Sequence, residues 1–142
     1  MTVNIPVAAQ YGFLSSYWQG NGQSVYELWV DSTTAPWTFK CSPRYGYTAT
    51  AQVDGITTTS VFFIVMVHKS SVTDLWVNNT KVASVSGTYT SSKGGYTYGL
   101  ASYCPPTHNT YPVRANIKKL FWYSSGITDE EVSQLYEYSM AA

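Results

Sequence analysis

Charged side chains are scarce: Asp, Glu, Lys and Arg make up 11% of the 142 residues, against about 25% in an average soluble domain. The eight basic residues are matched by eight acidic ones, so no overall field draws in a nucleic-acid backbone or an anionic membrane surface. Residues 1–26 hold no charged side chain; the first acid is Glu27 and the first base Lys40. The positively charged opening of a secretory signal is therefore missing. Long apolar runs are missing too. The longest is the seven residues 61–67, where a membrane-spanning helix needs about 20. Neither nucleic acid nor membrane is expected as a partner. Cys41 and Cys104 are the two cysteines, too few for a disulfide scaffold and without the CxxC spacing of a zinc or redox site. Two unpaired core thiols or one bridge both fit, the bridge requiring Cα atoms within about 7 Å.

In place of charge the chain carries 17 Ser, 17 Thr and 13 Tyr, and it is 44% hydrophobic and 16% aromatic. That is more core material than a disordered chain carries. A chain of 142 residues suits one domain that buries roughly 68–70% of its unfolded surface. One domain over 1–142 is expected. The uncharged residues 1–26 are read either as outer strands that complete the fold or as an arm on another subunit, with Tyr11, Phe13, Tyr17 and Trp18 as the interface. An uncharged aromatic surface left in water is an association risk.

From residue 25 to 123 the pattern is one of short strands and turns. Tyr47, Ala49, Ala51 and Val53 alternate with Thr48, Thr50 and Gln52, a period of two that sends one set inward. Asp54-Gly55 follows and predicts a two-residue hairpin turn, with the chain returning over 57–69. That returning strand is apolar on both faces across 61–67, so it is expected to be central, with the second face under a loop, a helix or a partner. A further hairpin is expected at 74–77 and 81–85 around Asn78-Asn79, since Asn tolerates the left-handed region. Gly94-Gly95 marks a turn before a strand at 96–101. Three prolines in 102–112 predict a long surface loop, and a last strand is expected over 116–123.

The period then changes. Thr128 as N-cap, Glu131 completing a capping box, and Ile127 with Val132 as a hydrophobic staple define a helix start, with Asp129, Glu130 and Glu131 in the first turn where the dipole favours negative charge. Val132, Leu135, Tyr136 and Met140 form an apolar stripe. A short closing helix over 128–140 is expected, its acids serving the cap and a solvated face.

Reactive groupings are thin. A glycosidase needs two carboxyls about 5–9.5 Å apart, whereas Glu27 and Asp31 on one strand lie about 13 Å apart at roughly 3.3 Å per residue. Gly22-Gln23-Ser24-Val25-Tyr26 fails the nucleophile-elbow pattern at its last position. His68 and His108 are the only imidazoles, and neither has the spacing or carboxylate neighbours of a metal site. No catalytic residue, metal or cofactor is expected. Aromatic and hydroxyl-rich loops remain, of the kind that stack on sugar rings from a rigid scaffold. Trp37, Arg44, Tyr45, Tyr103, His108 and Tyr111 are the candidate glycan-binding residues.

Three passages carry a resemblance: residues 61–69 as a long middle strand, 74–82 as a short hairpin, and 116–132 as a final strand followed by a helix start. Over 47–142 the chain resembles the concanavalin A-like, laminin-G-like jelly-roll domains. The resemblance implies an all-β, two-sheet antiparallel sandwich with a short C-terminal α-helix. It leaves the function open, because this fold serves lectins, adhesion modules, glycosidases and structural parts alike. The family's calcium ligands have no residue-by-residue match here. With the low charge and the uncharged start, the expected role is a non-enzymatic virion protein of a tailed bacteriophage. It would be a capsid decoration, cement or fibre-associated subunit that binds neighbouring virion proteins, as a homo-oligomer or on the capsid, with a surface glycan as a further ligand. The alternative is a carbohydrate-binding module of a secreted or cell-surface system.

Overall fold

A computed structural model describes residues 1–19, 23–44, 47–87, 96–100, 112–123 and 125–141, with the backbone alone at 17–19, 23–25, 44 and 96–99. Ten strands and one helix follow in order: β1 (Thr2–Asn4), β2 (Tyr11–Gln19), β3 (Gln23–Asp31), β4 (Trp37–Arg44), β5 (Tyr47–Val53), β6 (Val61–Lys69), β7 (Val72–Val77), β8 (Thr80–Ser86), β9 (Tyr96–Leu100), β10 (Asn116–Lys119) and α1 (Asp129–Met140). They form two five-stranded sheets, ordered β10-β1-β6-β7-β8 and β5-β4-β3-β2-β9. Every strand pairing is antiparallel. This is the expected all-β, two-sheet sandwich with a short C-terminal helix.

The core between the sheets is drawn from both. Val3, Phe62, Ile64, Leu75 and Val77 come from the first sheet, and Leu14, Leu28, Val30, Phe39 and Cys41 from the second. Phe39 and Phe62 meet edge to face across it, ring centroids 5.3 Å apart. The uncharged start of the chain is part of this frame, with β1 and β2 in opposite sheets. Met1, Val3, Ile5 and Leu14 are buried.

The apolar run in β6 occupies the middle of its sheet, and its two faces have different covers. Phe62 and Ile64 face the sandwich core. Phe63 and Val67 join Trp76 and Val132 in a second cluster closed by Ile127, Leu135 and Tyr136. Of the three covers expected, a loop, a helix or a partner, it is the helix, and Tyr136 meets Phe63 at 5.9 Å between ring centroids. Its start follows the sequence reading: Thr128 caps the Glu131 N–H at 3.1 Å, and the Glu131 carboxylate accepts from the Thr128 N–H at 2.6 Å. The buried stripe ends at Ser139 instead of Met140, which is exposed. Ser139 holds that place because its hydroxyl donates to the Tyr136 carbonyl at 3.0 Å.

Two expected connections differ. Asp54-Gly55 forms a turn, with Gly55 at φ 78°, but β5 and β6 lie in different sheets. A second turn follows at once, closed by the Ser60 N–H on the Thr57 carbonyl at 3.0 Å. The Asn4 side-chain amide donates to the Thr58 and Ser60 carbonyls, and Ile56 is buried between the turns. The paired turns carry the chain across the core, because β6 needs cover on both faces and β5 has a polar outer face. The last strand stops at Lys119 and does not reach 123. The Asn78-Asn79 hairpin is as expected, with Asn78 in the left-handed region at φ 54°.

Candidate functional site

The site lies beside β1 and β6. Strand β1 lies between β10 and β6, pairing Thr2 with Lys119 on one side and with Phe63 on the other. Its last contact with β6 is reciprocal: the Met1 amino group donates to the Ile64 carbonyl at 2.7 Å, and the Ile64 N–H donates to the Met1 carbonyl at 2.9 Å. Beyond that point β6 continues to Lys69 and the segment after β10 continues alongside, with no strand between them among the described residues. A cleft of about 310 Å³ fills the gap, lined by residues 64–68 of β6 and by Leu120, Phe121, Trp122 and Tyr123.

The cleft's floor comes from the other sheet, with Ser15 of β2 and Tyr26 and Leu28 of β3. Its far end is closed by residues 125–127, where Gly126 lies so near β6 that a Cβ on it would fall 2.6 Å from the His68 carbonyl oxygen. Side chains alternate across a strand, so five consecutive lining residues have in common the backbone edge of β6. Aromatic rings stand at the mouth: Trp122 is 60% exposed and Tyr123 54% exposed. Tyr26 meets the His68 ring edge on at 5.8 Å.

His68 Nδ1 and the Thr73 hydroxyl are 2.7 Å apart, which fixes the ring on the core side of β6. Burial holds its pKa below the usual 6.5, because desolvation disfavours the imidazolium. The charged groups lie elsewhere and serve the frame. Lys81 bridges Asp74 at 3.2 Å and Asp129 at 3.0 Å, and Lys69 reaches Asp129 at 3.3 Å. This pins the start of α1 to the β7–β8 hairpin and so steadies residues 125–127 at the end of the cleft. A second groove of about 370 Å³ lies on the helix side of the same segment, between Phe121 and Tyr123 and the Leu135 and Tyr138 side chains.

None of the sequence candidates whose side chains are described, Trp37, Tyr11 and Phe13, lines this cleft. Trp37 is 4% exposed within the sandwich core, so its ring packs against the sheets and offers no face to a ligand. Arg44 is described by its backbone only, and Tyr45, Tyr103, His108 and Tyr111 lie outside the described residues, as do Cys104, Gly94-Gly95 and most of the proline-rich loop. Of the interface candidates, Phe13 is 2% exposed and packs on Trp29. Tyr11 is exposed, with Lys40 Nζ 5.3 Å from its ring centroid. Tyr17 and Trp18 are described by backbone only. The carboxylate pair is engaged locally: Glu27 accepts from Trp29 Nε1 at 3.1 Å, and Asp31 accepts from the Thr33 N–H at 3.0 Å.

Sequence reading overlooked the cleft's aromatic wall. The signal was Phe121-Trp122-Tyr123 itself, because three successive aromatics cannot all face one side of a strand. Comparison with protein-family models, curated proteins and solved structures gives no match.

Proposed function

We propose that this protein is a non-enzymatic structural subunit of a virion, a lectin-like sandwich of the concanavalin A-like kind that holds neighbouring subunits through the cleft beside β6. The observation that carries this reading is the cleft's lining. It is mostly aliphatic and aromatic, with Ser15, His68 and Ser125 as its polar side chains and no Asp, Glu, Lys or Arg among the described residues, and it leaves Trp122 and Tyr123 exposed at its mouth. A concave apolar surface with exposed Trp and Tyr has the composition of an interaction core. Leu120 in the lining and Tyr138 in the neighbouring groove add exposed apolar surface. Virions purified from the source of the chain are expected to contain it at fixed stoichiometry, and Trp122→Ser is expected to rebind depleted particles poorly. Particles that lack the chain contradict the reading.

A carbohydrate-binding module is the second reading, favoured by the same two exposed rings, since sugar C–H faces stack on Tyr and Trp. Saturable glycan binding lost in Trp122→Ala supports it. A blank glycan array counts against it.

A further inference from the structure

Away from the cleft, the charge of the chain is sorted by sign. Helix α1 holds Asp129, Glu130, Glu131 and Glu137, four of the eight acids, and no base, whereas residues 114–119 hold Arg114, Lys118 and Lys119 and no acid. Three of these charges serve the fold: Asp129 pairs with Lys69 and Lys81, Glu131 closes the capping box, and Lys119 Nζ donates to the Tyr138 carbonyl at 3.0 Å. The Lys119 bond sets β10 and the end of α1 side by side. The other four, Glu130 and Glu137 on α1 with Arg114 and Lys118 beside it, are exposed, and their side chains make no ion pair or hydrogen bond among the described residues. Val113, Ala115 and Ile117 pack on the core instead. Between α1 and the segment that continues β10 runs the helix-side groove, where Phe121 and Tyr138 meet edge on at 6.1 Å and where Tyr123 and Tyr138 are more than half exposed.

We infer that a second copy of this chain docks on this face about a two-fold axis, the acidic α1 of each copy against the basic 114–119 strip of the other, with the tyrosines of the two grooves meeting at the centre. A two-fold contact presents the same patch on both copies, so the patch must complement itself. An acidic half beside a basic half does so, because the two-fold exchanges the halves and sets Glu130 and Glu137 of one copy against Arg114 and Lys118 of the other. The unpaired charges are two of each sign, and the whole chain has a net charge of zero, so the copies meet without long-range repulsion. Tyrosines at the centre and charges at the rim are the usual anatomy of a specific interface. The rings supply buried surface, and the rim charges, each worth little alone, fix the orientation. This face is separate from the cleft, and the inference does not depend on the reading above.

The test is sedimentation equilibrium of the full chain and of two charge-reversed variants, one carrying Arg114→Glu and Lys118→Glu, the other Glu130→Lys and Glu137→Lys. The parent is expected to reach about twice the 15.8 kDa of one chain. Each reversed variant alone sets like charges against each other and is expected to self-associate about tenfold or more weakly. Mixed in equal amounts, the two are expected to form a dimer again, because both contacts then join opposite charges. Circular dichroism checks that the variants are folded. Tyr138→Ser leaves every charge in place and is expected to weaken the parent dimer by about tenfold or more, which keeps the inference testable if a reversed variant does not fold. A parent chain that stays monomeric up to about 1 mM overturns the inference. So do reversed variants that dimerise as tightly as the parent, weakened variants that remain monomeric when mixed, and a dimer indifferent to Tyr138→Ser.

Discussion

Cys41 is fully buried and unbridged, and burial pushes its thiol up to about 12, with the nearby Asp74 charge adding to the shift and a backbone hydrogen bond at Ala49 opposing it. Against an ordinary value of 9.0, this lowers the thiolate fraction at pH 8 by roughly a thousandfold. Site-resolved mass spectrometry after brief alkylation is expected to find Cys41 unmodified in the folded chain and modified in urea. Trp37 and Trp122 make the complementary comparison. Trp37→Ala opens the core and is expected to cost about 3–5 kcal/mol, whereas Trp122→Ala at the exposed mouth is expected to stay within about 0.5 kcal/mol. Urea unfolding followed by tyrosine fluorescence and circular dichroism separates the two, and equal losses would contradict the burial pattern.

The helix and its lead-in show how local sequence sets an element in place. Thr128→Ala removes the cap on the Glu131 N–H and is expected to lower stability by about 1 kcal/mol. Gly126→Ala forces a Cβ against the His68 carbonyl, which is backbone and cannot step aside; a loss of about 1–3 kcal/mol is expected. The acidic first turn adds a pH dependence of known sign. Hydrogen bonds from Lys81 and then Lys69 hold the Asp129 carboxyl below its usual 3.8, and the Thr128 backbone N–H, then its side chain, hold Glu131 below 4.5. Depressed carboxyls stabilise the fold above their unfolded values, and that contribution is lost as pH falls through the folded values. The double variant Asp129→Asn, Glu131→Gln is expected to show a flatter stability profile below pH 4.5 than the parent, measured by denaturant midpoints.

These elements also mark where sequence is readable. The capping box and the Asn78 hairpin are local, held within a few residues, so pattern alone located them. The turns that lead into β6 are held by the distant Asn4 amide on the Thr58 and Ser60 carbonyls, which no hairpin rule contains. The cleft was hidden for the same reason, since its walls come from β6, β3 and the 120–127 segment.

At the scale of the whole molecule, the sheets are closed on each other by a shared core and one is closed again by α1. The cleft lies beside β6, past the Met1–Ile64 pair. The polar network of Asp74, Lys81, Asp129 and Lys69 ties the helix start to the strands beside the cleft. Four charged side chains meet at the helix start, while the cleft lining carries no Asp, Glu, Lys or Arg. Residue-resolved amide exchange along β6 in the free protein tests this account most directly. The Ile64, Val65 and Val67 amides, each bonded within the sheet, are expected to exchange slowly, with Met66 between them exchanging fast. A Met66 amide as protected as its neighbours would mean that the cleft edge of β6 is already paired, and would contradict the account.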